Sequence, residues 1–214
     1  MNAEVGFPQT TIFTTSDGFE LEAEFLLPAQ IQAIAVLSHP HPLYGGDMRN
    51  NVIQSLFESL PESSIGTLRY NFRGAGVSEG THGKGELERL DAEAAFTYAG
   101  SLGDSIPIIS VGYSFGADVS LSTDHSNLAG WVGIAAPLSL LKPQQMPAGH
   151  DERPTLLLVP QHDQYRSPDE AATISHSWDS TSLSIIDGGD HFLMGSSKPV
   201  SEATAAFVKK IIES

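Results

Sequence analysis

Short unbroken apolar runs alternate along this chain with segments whose apolar residues recur at helical spacing, and few folds satisfy that alternation. A run such as Ile34-Ala35-Val36-Leu37 has no polar face, so it suits a strand covered on both sides. It is followed by Val52, Ile53, Leu56, Phe57 and Leu60 on one face of a helix, with Asn50 as its N-cap and Pro61 closing it. The pattern repeats with a strand over 67–71, a helix over 86–98 whose inward face is Leu87, Leu90, Ala94 and Tyr98, and a strand over 106–111. Further strands are read at 128–135, 155–159 and 183–186. A helix opens at Ser167-Pro168-Asp169-Glu170, where Ser167 can cap and Glu170 can reach back to it. A last helix runs over 199–212 with Val200, Ala203, Phe207 and Ile211 inward and Lys209 and Lys210 at its negative end. Strand and helix in alternation predict an α/β architecture with a mostly parallel sheet and helices on both faces. Ahead of it, residues 10–15, the turn Ser16-Asp17-Gly18 and the alternating run 20–27 read as an edge hairpin.

A chain of 214 residues fits one domain, 1–214, and no internal repeat or linker divides it. The stretch between Pro137 and Pro154 has little periodicity and is too short for a helical cap domain, which predicts an open site. With 26 acidic against 11 basic residues the net charge is −15, which repels nucleic acid and anionic membranes at long range and otherwise reads as a solvated exterior. The absence of cysteine excludes disulfides, thiolate metal sites and a cysteine nucleophile. The first ten residues lack the pattern of a secretory signal and no run is long enough to span a membrane, so a cytoplasmic protein is expected.

Chemistry concentrates at the ends of the strands. Gly112-Tyr113-Ser114-Phe115-Gly116 follows one apolar strand and precedes a short helical segment, the setting of a nucleophile elbow: a tight turn lifts the serine hydroxyl above the sheet, and glycines on either side let strand and helix approach. A serine needs a base, and His191 follows the last strand in Asp187-Gly188-Gly189-Asp190-His191-Phe192. The base needs a carboxylate to set its tautomer; Asp163 follows the strand 155–159, with Asp187 and Asp190 as rivals, the latter reading as a loop former. Acyl transfer also needs backbone N–H groups at the developing oxyanion. Phe115 supplies one. The other belongs to His39-Pro40-His41-Pro42-Leu43-Tyr44-Gly45-Gly46, where the prolines have no N–H and His41 leads, with Leu43 in reserve. His39 and His41 with Asp47 would be the residues of a zinc site, but Pro-locked spacing favours loop packing, and no metal is expected. Tyr44, Phe115, Leu138, Leu140, Phe192 and Met194 are pocket-wall candidates that could equally be core.

These motifs, together with Asn71-Phe72-Arg73-Gly74-Ala75-Gly76-Val77-Ser78-Glu79-Gly80, resemble those of small lidless bacterial α/β-hydrolases of the dienelactone hydrolase-like branch. The resemblance implies the α/β-hydrolase fold with about eight strands and no cap domain, a Ser114–Asp163–His191 triad in the chain order of that fold, and a structural role for Arg73. Dienelactone hydrolases proper use cysteine, so the serine here points away from their reaction. The expected activity is hydrolysis of small, short-acyl carboxylic esters through an acyl-serine, of the carboxylesterase type, with no cofactor. Thioester hydrolysis and cofactor-free perhydrolysis would use the same residues, and a non-catalytic scaffold is the reading from another class. Oligomeric state is not legible.

Overall fold

The computed structural model describes residues 4–214; residues 1–3, the start of the stretch read for a leader, lie outside the described residues. Eight strands form one sheet: β1 (Gln9–Thr14), β2 (Glu20–Leu26), β3 (Ala33–Ser38), β4 (Ile65–Tyr70), β5 (Ile108–Tyr113), β6 (Leu128–Ile134), β7 (Thr155–His162) and β8 (Thr181–Asp190), in the order β1-β2-β4-β3-β5-β6-β7-β8. The hairpin β1–β2 runs antiparallel at one edge, and every pairing from β4 to β8 is parallel.

The unbroken apolar runs follow from cover on both faces. Along β3, Ile34 and Val36 enter one core, with α2 (Glu88–Ser101), α3 (Phe115–Leu121) and α4 (Pro168–Ser175). Ala33, Ala35 and Leu37 enter the other, with α1 (Asn51–Ser59) and α5 (Ser197–Ile212). Asn50 caps α1 by accepting the Val52 N–H at 3.0 Å, and Ser167 with Glu170 forms the reciprocal capping box at the start of α4. Between 137 and 154 there are two single 3₁₀ turns, Pro143–Gln145 and Pro147–Gly149, and no cap helix.

Four expectations are corrected. Pro61 does not stop the first helix cleanly; the chain tightens through it into a 3₁₀ turn over Leu60–Ser63. The deepest face of α2 is Asp91, Ala92, Ala95, Phe96 and Ala99 with Glu88, while Leu90, Ala94 and Tyr98 sit half-buried beside it and Leu87 is exposed. Hydropathy places Glu88 and Asp91 outward, but each is buried against fixed donors: Asp91 takes the Arg73 guanidinium at 2.7 and 2.9 Å, and Glu88 the Gly83 and Gly85 N–H groups at 2.7 and 2.8 Å. On α5, Val200 is buried as expected, whereas Ala203, Phe207 and Ile211 are half-buried and Val208 and Thr204 face the core, the Thr204 hydroxyl bonded within the helix to the Val200 carbonyl at 2.8 Å. Finally, β7 and β8 run past their apolar cores to His162 and Asp190 through a register shift.

Strand order positions the site. From β3 the chain crosses by α1 over one face to β4, and from β5 by α3 over the other face to β6, so the loops after the neighbouring strands β3 and β5 part to opposite sides. A crevice opens at their carboxyl ends, the position where open α/β sheets bind ligands.

Candidate active site

Ser114 stands at the head of that crevice with φ 54° and ψ −120°, a conformation L residues rarely adopt and one that costs roughly 1–3 kcal/mol. It is held from both sides: its N–H donates to the Ile134 carbonyl at 2.9 Å and its carbonyl accepts the Ala117 N–H at 2.9 Å. A Cβ on Gly112 would lie 2.2 Å from the Gly116 carbonyl oxygen, and one on Gly116 would lie 2.3 Å from that of Ser38, so both positions of the pentapeptide require glycine.

The extended β7–β8 pair supplies the partners. His162 pairs in register with Asp190, which leaves the next residue of each strand, Asp163 and His191, side by side. The His191 ring meets Asp163 through Nδ1, 2.9 Å from Oδ2 and 3.1 Å from Oδ1, and Ser114 Oγ through Nε2 at 2.8 Å. Asp163 is fixed by the Tyr165 and Arg166 N–H groups, which donate to its Oδ1 at 2.8 and 3.1 Å. The His191 backbone is clamped by the Tyr113 hydroxyl donating to its carbonyl at 2.8 Å and by its N–H donating to Gln164 Oε1 at 3.1 Å. The rival Asp190 turns away and accepts the Phe192 and Leu193 N–H groups at 3.1 Å, as a turn former does. Ser114, Asp163 and His191 therefore form one continuous hydrogen-bonded line.

On the opposite side lies the loop after β3. Leu43 N–H is occupied by His41 Nδ1 at 3.2 Å and Gly46 N–H by the His41 carbonyl at 3.1 Å, whereas neither the His41 nor the Phe115 N–H has a partner among the described residues. His39 has both ring nitrogens engaged, Nδ1–H donating to the Pro40 carbonyl at 2.6 Å and Nε2 accepting the Phe72 N–H at 3.0 Å, so neither is free to ligate a metal. Burial pushes its pKa down to about 4, because a cation in that position would lose its water and present a second N–H to Phe72. The folded pKa lies below the unfolded value of 6.5, so stability is full above pH 6.5 and is lost as pH falls toward 4. Urea unfolding should accordingly show about 3 kcal/mol more loss between pH 7 and pH 4 for the native chain than for His39→Gln, which keeps a donor and an acceptor but does not titrate. Parallel pH profiles would show that His39 is not the cause.

The cleft at Ser114 has a volume of about 310 Å³. Of the wall candidates, Tyr44, Phe115, Leu140 and Phe192 line it, and Leu138 and Met194 do not. Leu138, at φ 52°, is turned into the core because its N–H is held by Asp118, and Met194 is exposed on the turn after β8, where Leu193 takes the inward position. Sequence reasoning missed Tyr165, whose ring centroid is 4.4 Å from that of His191; an aromatic in a polar loop carries no periodicity to mark it. It also missed Asp118, buried one turn after Ser114, whose carboxylate accepts the Leu138, Ser139 and Leu140 N–H groups at 2.8, 3.1 and 2.9 Å. Burial raises its pKa and those bonds pull the other way, and the outcome is a cleft wall tied to the helix that carries Ser114. The signal was available: an acid in an otherwise small and apolar helix. His82, 2.7 Å from the buried Glu88 carboxylate, packs behind His41 with ring centroids 4.6 Å apart. Arg73, with Asp91 on α2 and Asp17 in the hairpin turn at 2.9 Å, ties elements together away from the reacting line.

The comparisons agree on the architecture. An α/β serine hydrolase homologue from Coxiella burnetii superposes with a TM-score of 0.83 at 24% identity, over 92% of this chain and 96% of its own. A lidless α/β serine hydrolase from Xanthomonas campestris gives 0.84 at 22% identity, over 95% and 94%. In sequence the chain is 28% identical over 187 residues to an uncharacterized protein of Rickettsia prowazekii, covering 79% of this chain and 76% of that one. No family model matches. This chain has the α/β-hydrolase fold, with eight strands in a mostly parallel sheet. Within that fold it is of the uncapped kind, since 137–154 contributes turns and no cap helix. No helix among the described residues is long and apolar enough to cross a membrane.

Proposed function

We propose that this protein is a serine hydrolase of the carboxylesterase type, cleaving small esters through an acyl-serine intermediate. The observation that carries the reading is the unbroken line from Ser114 Oγ through His191 to Asp163, at 2.8 and 2.9 Å, opening on an uncapped cleft. Ser114 Oγ attacks the ester carbonyl as its proton passes to His191 Nε2. The proton goes on to the leaving alcohol as the acyl-serine forms. Water, deprotonated by His191, then attacks the acyl carbon, and the carboxylic acid departs with Ser114 Oγ reprotonated. Asp163 holds Nδ1–H toward itself and offsets the imidazolium charge. The Phe115 and His41 N–H groups receive the oxyanion. We place the protein in the cytoplasm, with no metal or cofactor in the cycle.

The cleft volume of about 310 Å³ and the missing cap leave little apolar surface to enclose a long chain. A p-nitrophenyl ester series from acetate to palmitate should therefore peak in kcat/KM at four carbons or fewer and fall by about tenfold or more by twelve. A fluorophosphonate probe should label Ser114 stoichiometrically. A peak at the longest chains would remove the short-acyl assignment. An unlabelled Ser114 in folded protein would leave a scaffold.

A further inference from the structure

The lining of the cleft has an uneven chemistry. In a chain with 37 charged side chains, 26 acidic and 11 basic, no Asp, Glu, Lys or Arg lines it among the described residues. His41 on its wall is held toward the neutral form by burial and by the neighbouring His82. A carboxylate, phosphate or nucleotide portion of a substrate would find no cation to pair with there, on a chain whose overall net charge is −15. An ammonium group would find no carboxylate on the wall.

Aromatic rings stand there instead, and they are exposed. Tyr44 is 87%, Tyr165 61% and Phe192 53% accessible, and unlike exposed apolar side chains elsewhere, such as Phe7 and Val77, all three line the one cleft. They flank Ser114 on two sides. Tyr165 and Phe192 lie with ring centroids 4.4 and 5.8 Å from His191, while Tyr44 lies 4.8 Å from His41 across the cleft. None of the three packs into either core cluster, so the fold does not account for their placement. Leu140, half-exposed on the loop that Asp118 holds, adds a fourth apolar side chain to the cleft lining.

From this we infer that the esters this site takes are uncharged and carry an aromatic ring in the alcohol portion, which seats against Tyr165 and Phe192 beside the base or against Tyr44 opposite. The inference rests on the serine hydrolase reading above and adds the class of substrate. Offset or edge-to-face contact with one or two rings is the interaction that an alicyclic group of similar size cannot reproduce.

The test is a matched pair whose leaving alcohols are both primary and unconjugated: benzyl acetate against cyclohexylmethyl acetate, with 4-carboxybenzyl acetate as the charged member. The native protein should prefer benzyl to cyclohexylmethyl by about tenfold in kcat/KM, and the carboxylated ester should be at least tenfold poorer than benzyl. In Tyr165→Leu/Phe192→Leu and in Tyr44→Leu, each checked for fold by fluorophosphonate labelling of Ser114, at least one should reduce the preference to threefold or less. Turnover of both neutral esters within twofold of each other, a preference that survives in both variants, or a carboxylated ester as good as benzyl overturns the inference and leaves the hydrolase standing. No turnover of any ester with no label on Ser114 overturns the hydrolase itself and the inference with it.

Discussion

Ser114→Ala is expected to lower kcat on a short-chain p-nitrophenyl ester by about 10⁵- to 10⁶-fold, the scale on which a nucleophile is lost from a working triad. The reason lies in how the site is divided. In the proposed cycle Oγ alone forms the covalent bond, and among the described residues no other side-chain oxygen stands within hydrogen-bond distance of His191 Nε2. What should survive is binding in the cleft and the proposed oxyanion site at the Phe115 and His41 amides, which would still favour a tetrahedral carbonyl carbon over a planar one. KM should change by less than about tenfold. The variant should fold: φ 54° is imposed by the backbone bonds to Ile134 and Ala117, and alanine loses one hydrogen bond worth roughly 1 kcal/mol. Single-turnover kinetics on purified protein decides the matter, and a residual rate above one percent would mean that another group carries the reaction.

Asp163→Asn should cost about 10⁴-fold in kcat with KM little altered. Asparagine is nearly the same shape, and its carbonyl oxygen can still accept the Tyr165 and Arg166 N–H groups that hold Oδ1. That leaves its amide facing His191 Nδ1, a donor where an acceptor stood. The ring answers by carrying its proton on Nε2, and an Nε2–H cannot take the proton of Ser114. The loss thus comes from the wrong tautomer in an intact frame, and labelling by the fluorophosphonate should slow by a comparable factor. Asp190→Asn, by contrast, alters a carboxylate that among the described residues bonds only to the turn N–H groups of Phe192 and Leu193, and should stay within tenfold of the native rate. If Asp163→Asn kept a tenth or more of the activity, or if Asp190→Asn lost as much, the carboxylate would have to be reassigned.

These expectations draw on two kinds of information. The amino-acid sequence by itself determined the α/β plan, because both faces of the central strands are covered and a covered strand must be apolar throughout, which is visible in a run such as Ile34 to Leu37. It also marked Ser114, since Gly-x-Ser-x-Gly between an apolar strand and a helical segment is the setting of an elbow, and at 112 and 116 a Cβ would strike backbone. Asp163 and His191 were legible as types in the right loops. That they meet was not, because their distance depends on how far β7 and β8 extend beyond their apolar residues, and the exposed Gly188 and half-exposed Asp190 end of β8 has no hydropathy pattern.

Other features were decided only in three dimensions. Glu88 and Asp91 fall off the apolar stripe of their helix and are nevertheless buried, since a carboxylate can leave water only when N–H or guanidinium donors replace its hydration. Leu138 and Met194 read as pocket walls and point elsewhere, one held by Asp118 and the other displaced by Leu193, because a side chain in an irregular loop takes its direction from what its backbone is bonded to. The choice of Tyr165 over Met194 as a cleft wall is of the same kind. Local pattern set the elements and the reacting residue types; the lining of the cleft, on which substrate choice depends, came from the bonds between loops that lie far apart in the chain.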